Sequence, residues 1–254
     1  MRIITFCADS IQDAENRGFY DWVANQDADL ICIQNLAVQE KNLRGDVFFP
    51  SEYNSYFFDA IESETNGVAI YCRELPNAIM TGLGFIDFDM EGRYIQADFD
   101  SFSVGSLLAP EGSSNKLDLQ SHKENFYEQL IAHLDKIRNK RREFILCGNW
   151  NIAPTAKDIQ NFEESSKQNR FLPEERKWMD QITELGYIDA FREINTDSDE
   201  FTWWPTGTKD NNGGRIDFQI VSEGMQYNIE YGAIYKTQSF SSHAPLIMDY
   251  NVEL

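Results

Sequence analysis

Hydrophobic positions along the chain follow two rhythms. Short runs of mostly apolar, β-branched and aromatic residues fall at 2–7, 29–34, 67–72, 93–99, 102–108, 143–148, 215–221 and 244–250. Several are apolar at consecutive positions, which suits strands buried on at least one face of a sheet in a layered fold. The other rhythm is helical. The stretch from Ile11 to about Asn25 carries Ile11, Ala14, Trp22 and Val23. A second, about 120–139, opens with the capping-box pair Ser121 and Glu124 and bears a stripe of Phe126, Tyr127, Leu130, Ile131, Leu134 and Ile137. A third opens at Pro173, carries Glu174 and Glu175 in its first turn, aligns Trp178, Met179, Ile182 and Leu185, and ends at Gly186. In order, these elements predict a mixed α/β sandwich with strands inside and helices outside. Long loops are expected at about 35–66, 111–119, 153–172 and 195–214, the kind of segment that carries function.

Composition narrows the classes. The 254 residues, 42% of them hydrophobic, suffice for one packed domain spanning 1–254. Against 22 Lys and Arg stand 42 Asp and Glu, a net charge of −20. Phosphate neutralisation supplies most nucleic-acid affinity, so the chain as a whole repels polyanions and binds them weakly or not at all alone. One cluster departs from this. Lys136, Arg138, Lys140, Arg141 and Arg142 place 5 of the 22 bases within seven residues. They serve either a helix C-terminus or a basic patch for RNA phosphates. No apolar run approaches the roughly 20 residues of a membrane span. The first residues lead straight into a strand pattern with no signal-peptide core, so a cytoplasmic location is expected. Cys7, Cys32, Cys72 and Cys147 share no CxxC spacing and sit in apolar runs. Reduced, buried thiols are the expectation, with a disulfide or zinc site as the alternative.

Eight motifs then fall in order along the chain. Cys147-Gly148-Asn149-Trp150-Asn151-Ile152-Ala153-Pro154 resembles the C-G-D-x-N-x-A-P motif of exonuclease III-like enzymes in the endonuclease/exonuclease/phosphatase superfamily. Phe171-Leu172-Pro173-Glu174-Glu175-Arg176-x-Trp178 is similar to F-L-P-E-E-R-x-W of the same family. So are Gly186-x-x-Asp189-x-Phe191-Arg192, Phe201-Thr202-Trp203-Trp204 and Arg215-Ile216-Asp217. Ser241-Ser242-His243-Ala244-Pro245 matches S-D-H-A-P at all but one position. Ile3 to Ser10 lies where I-V-S-F-N-x-N-G belongs, and Ile31-Cys32-Ile33-Gln34-Asn35 where I-C-L-Q-E belongs. The resemblance implies a four-layer α/β/β/α sandwich.

It also implies a site whose chemistry has changed. Family members hold a divalent metal with a Glu that here is Asn35, an Asn that is Cys7 and an Asp that is Ser242. The water-activating Asp is Asn149, and a phosphate-facing Tyr is Leu108. Asn151 and the Asp217–His243 pair persist. Magnesium needs hard, usually anionic oxygens, and an amide takes no proton from water near neutral pH. These losses lead to the expectation of no metal, no cofactor and no catalysis. A narrower resemblance agrees. Gly82-Leu83-Gly84-Phe85, Gly92-Arg93-Tyr94-Ile95-Gln96, Lys140-Arg141-Arg142-Glu143, Trp203-Trp204-Pro205 and the Asp-less Ser242-His243-Ala244 look like the catabolite repression control (Crc) proteins. That resemblance implies a non-catalytic translational regulator whose partners are the RNA chaperone Hfq and mRNA together. The basic cluster with Trp203 and Trp204 would be its contact surface, although tryptophans there also suit a core or cleft wall. The alternatives are a magnesium-dependent exonuclease III-like nuclease or abasic-site endonuclease, and a phosphatase acting on a small substrate.

Overall fold

In the computed structural model each apolar run becomes a strand. Residues 1–62, 64–113, 115–165, 170–205, 207 and 212–254 are described. Parts of all four expected loops (63, 114, 166–169, 206 and 208–211) lie outside the described residues. The strands are β1 (Arg2–Cys7), β2 (Leu30–Gln34), β3 (Asn54–Phe58), β4 (Val68–Cys72), β5 (Ala78–Thr81), β6 (Tyr94–Asp98), β7 (Phe102–Leu108), β8 (Glu143–Asn149), β9 (Ile188–Asp189), β10 (Asp217–Val221), β11 (Ile229–Ile234) and β12 (Leu246–Tyr250). The α-helices are α1 (Ile11–Asn16), α2 (Phe19–Val23), α3 (Ile86–Asp89), α4 (Leu117–Ile137), α5 (Phe162–Ser165), α6 (Pro173–Glu184) and α7 (Ala190–Ile194).

Two six-stranded sheets form, in the orders β11-β12-β1-β2-β4-β3 and β5-β6-β7-β8-β10-β9. Each has one parallel pair, β1 with β2 and β7 with β8, and is otherwise antiparallel. A parallel pair needs a crossover, which α1 and α2 supply in one sheet and α4 in the other. Alternation along the central strands explains the continuous apolar runs. In β2, Leu30 and Cys32 face the seam between the sheets, while Ile31 and Ile33 face α1 and α2. In β8, Ile145 and Cys147 face the seam, while Phe144 and Leu146 face α4 and α6. The result is the expected α/β/β/α sandwich. All four cysteines are buried and unbonded to one another.

Three expectations about elements need correction. The helix expected over 11–25 is two helices, because Gly18 adopts φ 84° between them. Ser121 and Glu124 do not open a helix; α4 starts earlier, at Leu117. The expected loop at 35–66 contains β3. The strands not read from the pattern are β3, β5, β9 and β11, the four sheet edges. Edge strands are half exposed, so they show no apolar run.

One buried ion pair ties the outer helices to the site. Lys123 of α4 and Glu175 of α6 are both fully buried, with Nζ 2.7 Å from Glu175 Oε1. Nζ also donates to the Asn151 carbonyl at 2.8 Å. Burial draws the Lys123 pKa down to about 8 against the pull of Glu175. Removing one partner strands a charge in the interior. Glu175→Gln is therefore expected to cost about 3–5 kcal/mol of stability in urea unfolding, and the double change Lys123→Met with Glu175→Leu markedly less.

Candidate functional site

The cleft opens where strand ends from both sheets converge. Cys7 ends β1, Asn35 follows β2, Leu108 ends β7 and Asn149 ends β8, while Asp217 begins β10 and His243 shortly precedes β12. Strand register enforces the meeting, since Asn149 pairs with both Asp217 and Leu108. The cavity measures about 910 Å³, and its lining includes Asp9, Asn35, Leu108, Asn149, Asn151, Arg170, Trp203 and His243.

At the floor, His243 Nδ1 lies 2.8 Å from Asp217 Oδ2. A carboxylate only accepts, so Nδ1 carries the proton and Nε2 is turned elsewhere. Burial is the largest single influence and opposes the charged ring, but Asp217 and Cys7 together outweigh it and hold the His243 pKa well above its ordinary value. Behind the ring, Cys7 has its thiol pKa raised by burial. Asn149 bridges the sheets, donating from Nδ2 to Cys7 Sγ at 3.3 Å and accepting the Asn151 N–H on Oδ1 at 2.8 Å. Asn151 is fully engaged. It sits at φ 53°, donates to Ala109 O at 2.8 Å and accepts Arg170 Nε on Oδ1 at 3.2 Å.

The wall holds residues that sequence reasoning missed. Asp9, at φ 58° just past β1, has a side chain 43% exposed to the cleft. Its Oδ2 accepts Ser242 N–H (3.0 Å) and Oγ–H (2.6 Å), while Oδ1 lies 3.8 Å from His243 Nε2. The signal was present, since Asp9 stands at the second Asn of the I-V-S-F-N-x-N-G pattern. Arg170 stacks over Trp203 at 4.3 Å and pairs with Glu111 at 2.5 Å.

The expected contact surface does not form one patch. Trp203 walls the cleft, whereas Trp204 is buried beside Phe201 and Ala244. Arg142 caps the carbonyls of Phe99 and Phe102, and Arg138 pairs with Asp135. Lys136, Arg138, Lys140 and Arg141 are exposed. Of the other histidines, His122 pairs with Glu91 at the cleft edge and His133 packs against Phe85.

The donor set admits a hard divalent cation with few protein ligands. Asp9 leaves one carboxylate oxygen facing the cleft, and the Asn35 amide lines the same space. Magnesium is commonly held by one or two carboxylates and several waters. Among the described residues, Cys7, Asp217 and His243 also form a close group of ligand atoms, all within 4.8 Å of one another. The expectation of no metal, drawn from Asn35, Cys7 and Ser242, did not take Asp9 into account.

A group whose folded pKa is raised stabilises the fold fully below its unfolded value, and this is lost as pH rises through the folded value. For His243 the loss begins above about 6.5. NMR titration should show the ring protonated beyond that pH and returning toward 6.5 in Asp217→Asn. The melting temperature of that variant should fall less steeply with rising pH.

The Endonuclease/Exonuclease/phosphatase family matches residues 12–241. An exodeoxyribonuclease of Bacillus subtilis is 27% identical over 238 residues, covering 92% of each chain. A DNA-(apurinic or apyrimidinic site) endonuclease of Dictyostelium discoideum is 27% identical over 99% of this chain and 71% of its own. A Neisseria 3′ phosphatase solved with a product DNA hairpin superposes with a TM-score of 0.88 at 21% identity, over 99% of this chain and 100% of its own. The expectation of a non-catalytic protein is overturned by these relatives, which are named as enzymes and match it nearly end to end. In the structure, the intact His243–Asp217 pair and the overlooked Asp9 carboxylate agree with that correction. The chain belongs to the Endonuclease/Exonuclease/phosphatase family.

Proposed function

We propose that the chain hydrolyses phosphoester bonds in DNA, as an exonuclease III-like nuclease acting at strand ends or abasic sites with a divalent cation. The observation that carries this reading is the His243–Asp217 pair opening onto the same cleft as Asp9. Asp217 fixes the ring and favours its charged form, so Nε2–H is poised to donate to a phosphoryl oxygen and stabilise developing negative charge. Arg170, steadied by Trp203 and Glu111, supplies a second cation on the wall. The Asn149 amide accepts no proton from water, so it orients Cys7 and Asn151 instead. Asp9 is the carboxylate nearest the ring within the cleft. Asp9 and Asn35 would hold the cation, which when bound neutralises phosphate charge and favours deprotonation of water.

The net charge of −20 limits the grip on a long polyanion. Arg93 and Arg170 already face Glu91 and Glu111. This favours a small footprint around one phosphate over tracking along a duplex.

A second reading rests on the four exposed cations at 136, 138, 140 and 141. They keep a contact with Hfq and mRNA together open as a further role beside hydrolysis.

Purified protein with Mg²⁺ or Mn²⁺ should process duplex DNA bearing an abasic site or a 3′ phosphate. Chelation should abolish turnover, and His243→Ala should lower kcat at least about 100-fold. Absence of cation-dependent turnover on both substrates would refute the proposal. For the second reading, a gel shift of an Hfq–mRNA assembly should weaken in Lys140→Glu/Arg141→Glu. No shift by the unmodified protein would dismiss it.

A further inference from the structure

Another cavity, of about 290 Å³, shares no lining residue with the cleft. Met179 and Ile182 of α6, Tyr187, and Ile220 of β10 give it apolar walls, and Arg215 lines it with Asp158 and Asp189. Arg215 is 1% exposed. Its Nε donates to Asp158 Oδ1 and its Nη2 pairs with Asp189 Oδ2, both at 2.7 Å. Its Nη1 has no hydrogen-bond partner among the described residues. The Phe218 ring lies 4.4 Å from Cζ, over the group. Guanidinium hydrogens lie in the plane of the group, so a ring over its face does not satisfy them. A buried donor without an acceptor is costly and calls for an explanation. The charges around it are already balanced. Arg192 also donates to Asp158 Oδ1 at 2.7 Å, so two guanidiniums face two carboxylates. Lys157 and Asp180, the other charged residues of the lining, are exposed and opposite in sign.

We infer that this cavity binds a small, uncharged, largely apolar molecule whose carbonyl oxygen accepts from Arg215 Nη1. The form is that of a small-molecule site, with mostly apolar walls and few polar groups that fix orientation. Nη1 only donates, so the ligand brings an acceptor. The balanced ion cluster offers no counter-charge, so an ion entering the cavity would be desolvated without compensation. The volume stands at the small end of ligand cavities and suits a single ring system. Met179, unbranched and adaptable, lets the wall fit rings of different outline. Aromatic amides and lactams have the required chemistry. Arg215 stands two residues before Asp217, so the ligand docks at the strand end that carries the carboxylate of the cleft floor. The inference does not rest on the hydrolytic reading, because none of these residues lines the cleft.

The test uses the full-length protein with benzamide and 2-pyridone as probes, and toluene, benzylamine and benzoate as matched controls. In methyl NMR spectra, benzamide and 2-pyridone should shift Met179, Ile182 and Ile220. Benzamide should bind about 10-fold more tightly than toluene or benzylamine, the worth of one hydrogen bond, and more tightly than benzoate. Thr183→Trp places a large ring from the exposed side of α6 into the cavity lining. It leaves the ion cluster untouched and should weaken benzamide at least about 10-fold. Arg215→Lys removes Nη1 and should erase the advantage of benzamide over toluene. Thermal melting checks that both variants fold, and should Arg215→Lys not fold, the probe series and Thr183→Trp decide. A crystal structure with benzamide should place its oxygen on Nη1. A water that stays on Nη1 with every probe and no methyl shift overturns the inference, as does benzylamine or benzoate binding as tightly as benzamide.

Discussion

The structure depends on how two apolar sheets are joined where their seam reaches solvent. Along most of the seam, aliphatic side chains pack face to face and carry no directional information. At the strand ends polar groups cross between the sheets. His243 meets Asp217 at 2.8 Å, Asn149 meets Cys7 at 3.3 Å and Gln34 donates to Ser106 at 2.9 Å. Deeper in, Gln219 links to Ile3 O and accepts from Tyr250. Each bond is buried, so each is costly to break and fixes the relative position of the sheets. The first two of these bonds, His243 with Asp217 and Asn149 with Cys7, also form the cleft floor.

A second constraint acts from outside. Lys123 reaches from α4 through the apolar layer to the Asn151 carbonyl, and Glu175 on α6 balances its charge. Asn151 then holds Ala109 and Arg170. The helices thus support the cleft wall through one fully buried pair. A buried pair of this kind is weak evidence for net stability, yet removing one partner is costly because it leaves an uncompensated buried charge.

The substitutions that first suggested loss of chemistry look different in three dimensions. Ser242 has lost a carboxylate, yet its hydroxyl and N–H hold the carboxylate of Asp9. Asn149 has lost basicity, yet its amide can donate to sulfur, which a carboxylate cannot. Cys7 puts a thiol where the family pattern has an amide, and its sulfur accepts the Asn149 Nδ2–H. The acidic character has not left the site; one charge comes from another position.

The amino-acid pattern by itself determined the layered architecture, the eight central strands and the family. Strands buried on both faces must be apolar throughout, and the motif residues are local in sequence. The Asp217–His243 pair was legible for the same reason, through two short motifs. The four edge strands were not, because half-exposed strands lose the pattern. Asp9 was passed over because its meaning lies in its neighbour Ser242, 233 residues away. Trp204 differs from Trp203 by one position but by a whole face, one walling the cleft and the other buried. Only the tertiary structure decided these points. Which groups share a cleft depends on strand register and sheet packing, and those distances are not encoded in any one stretch of chain.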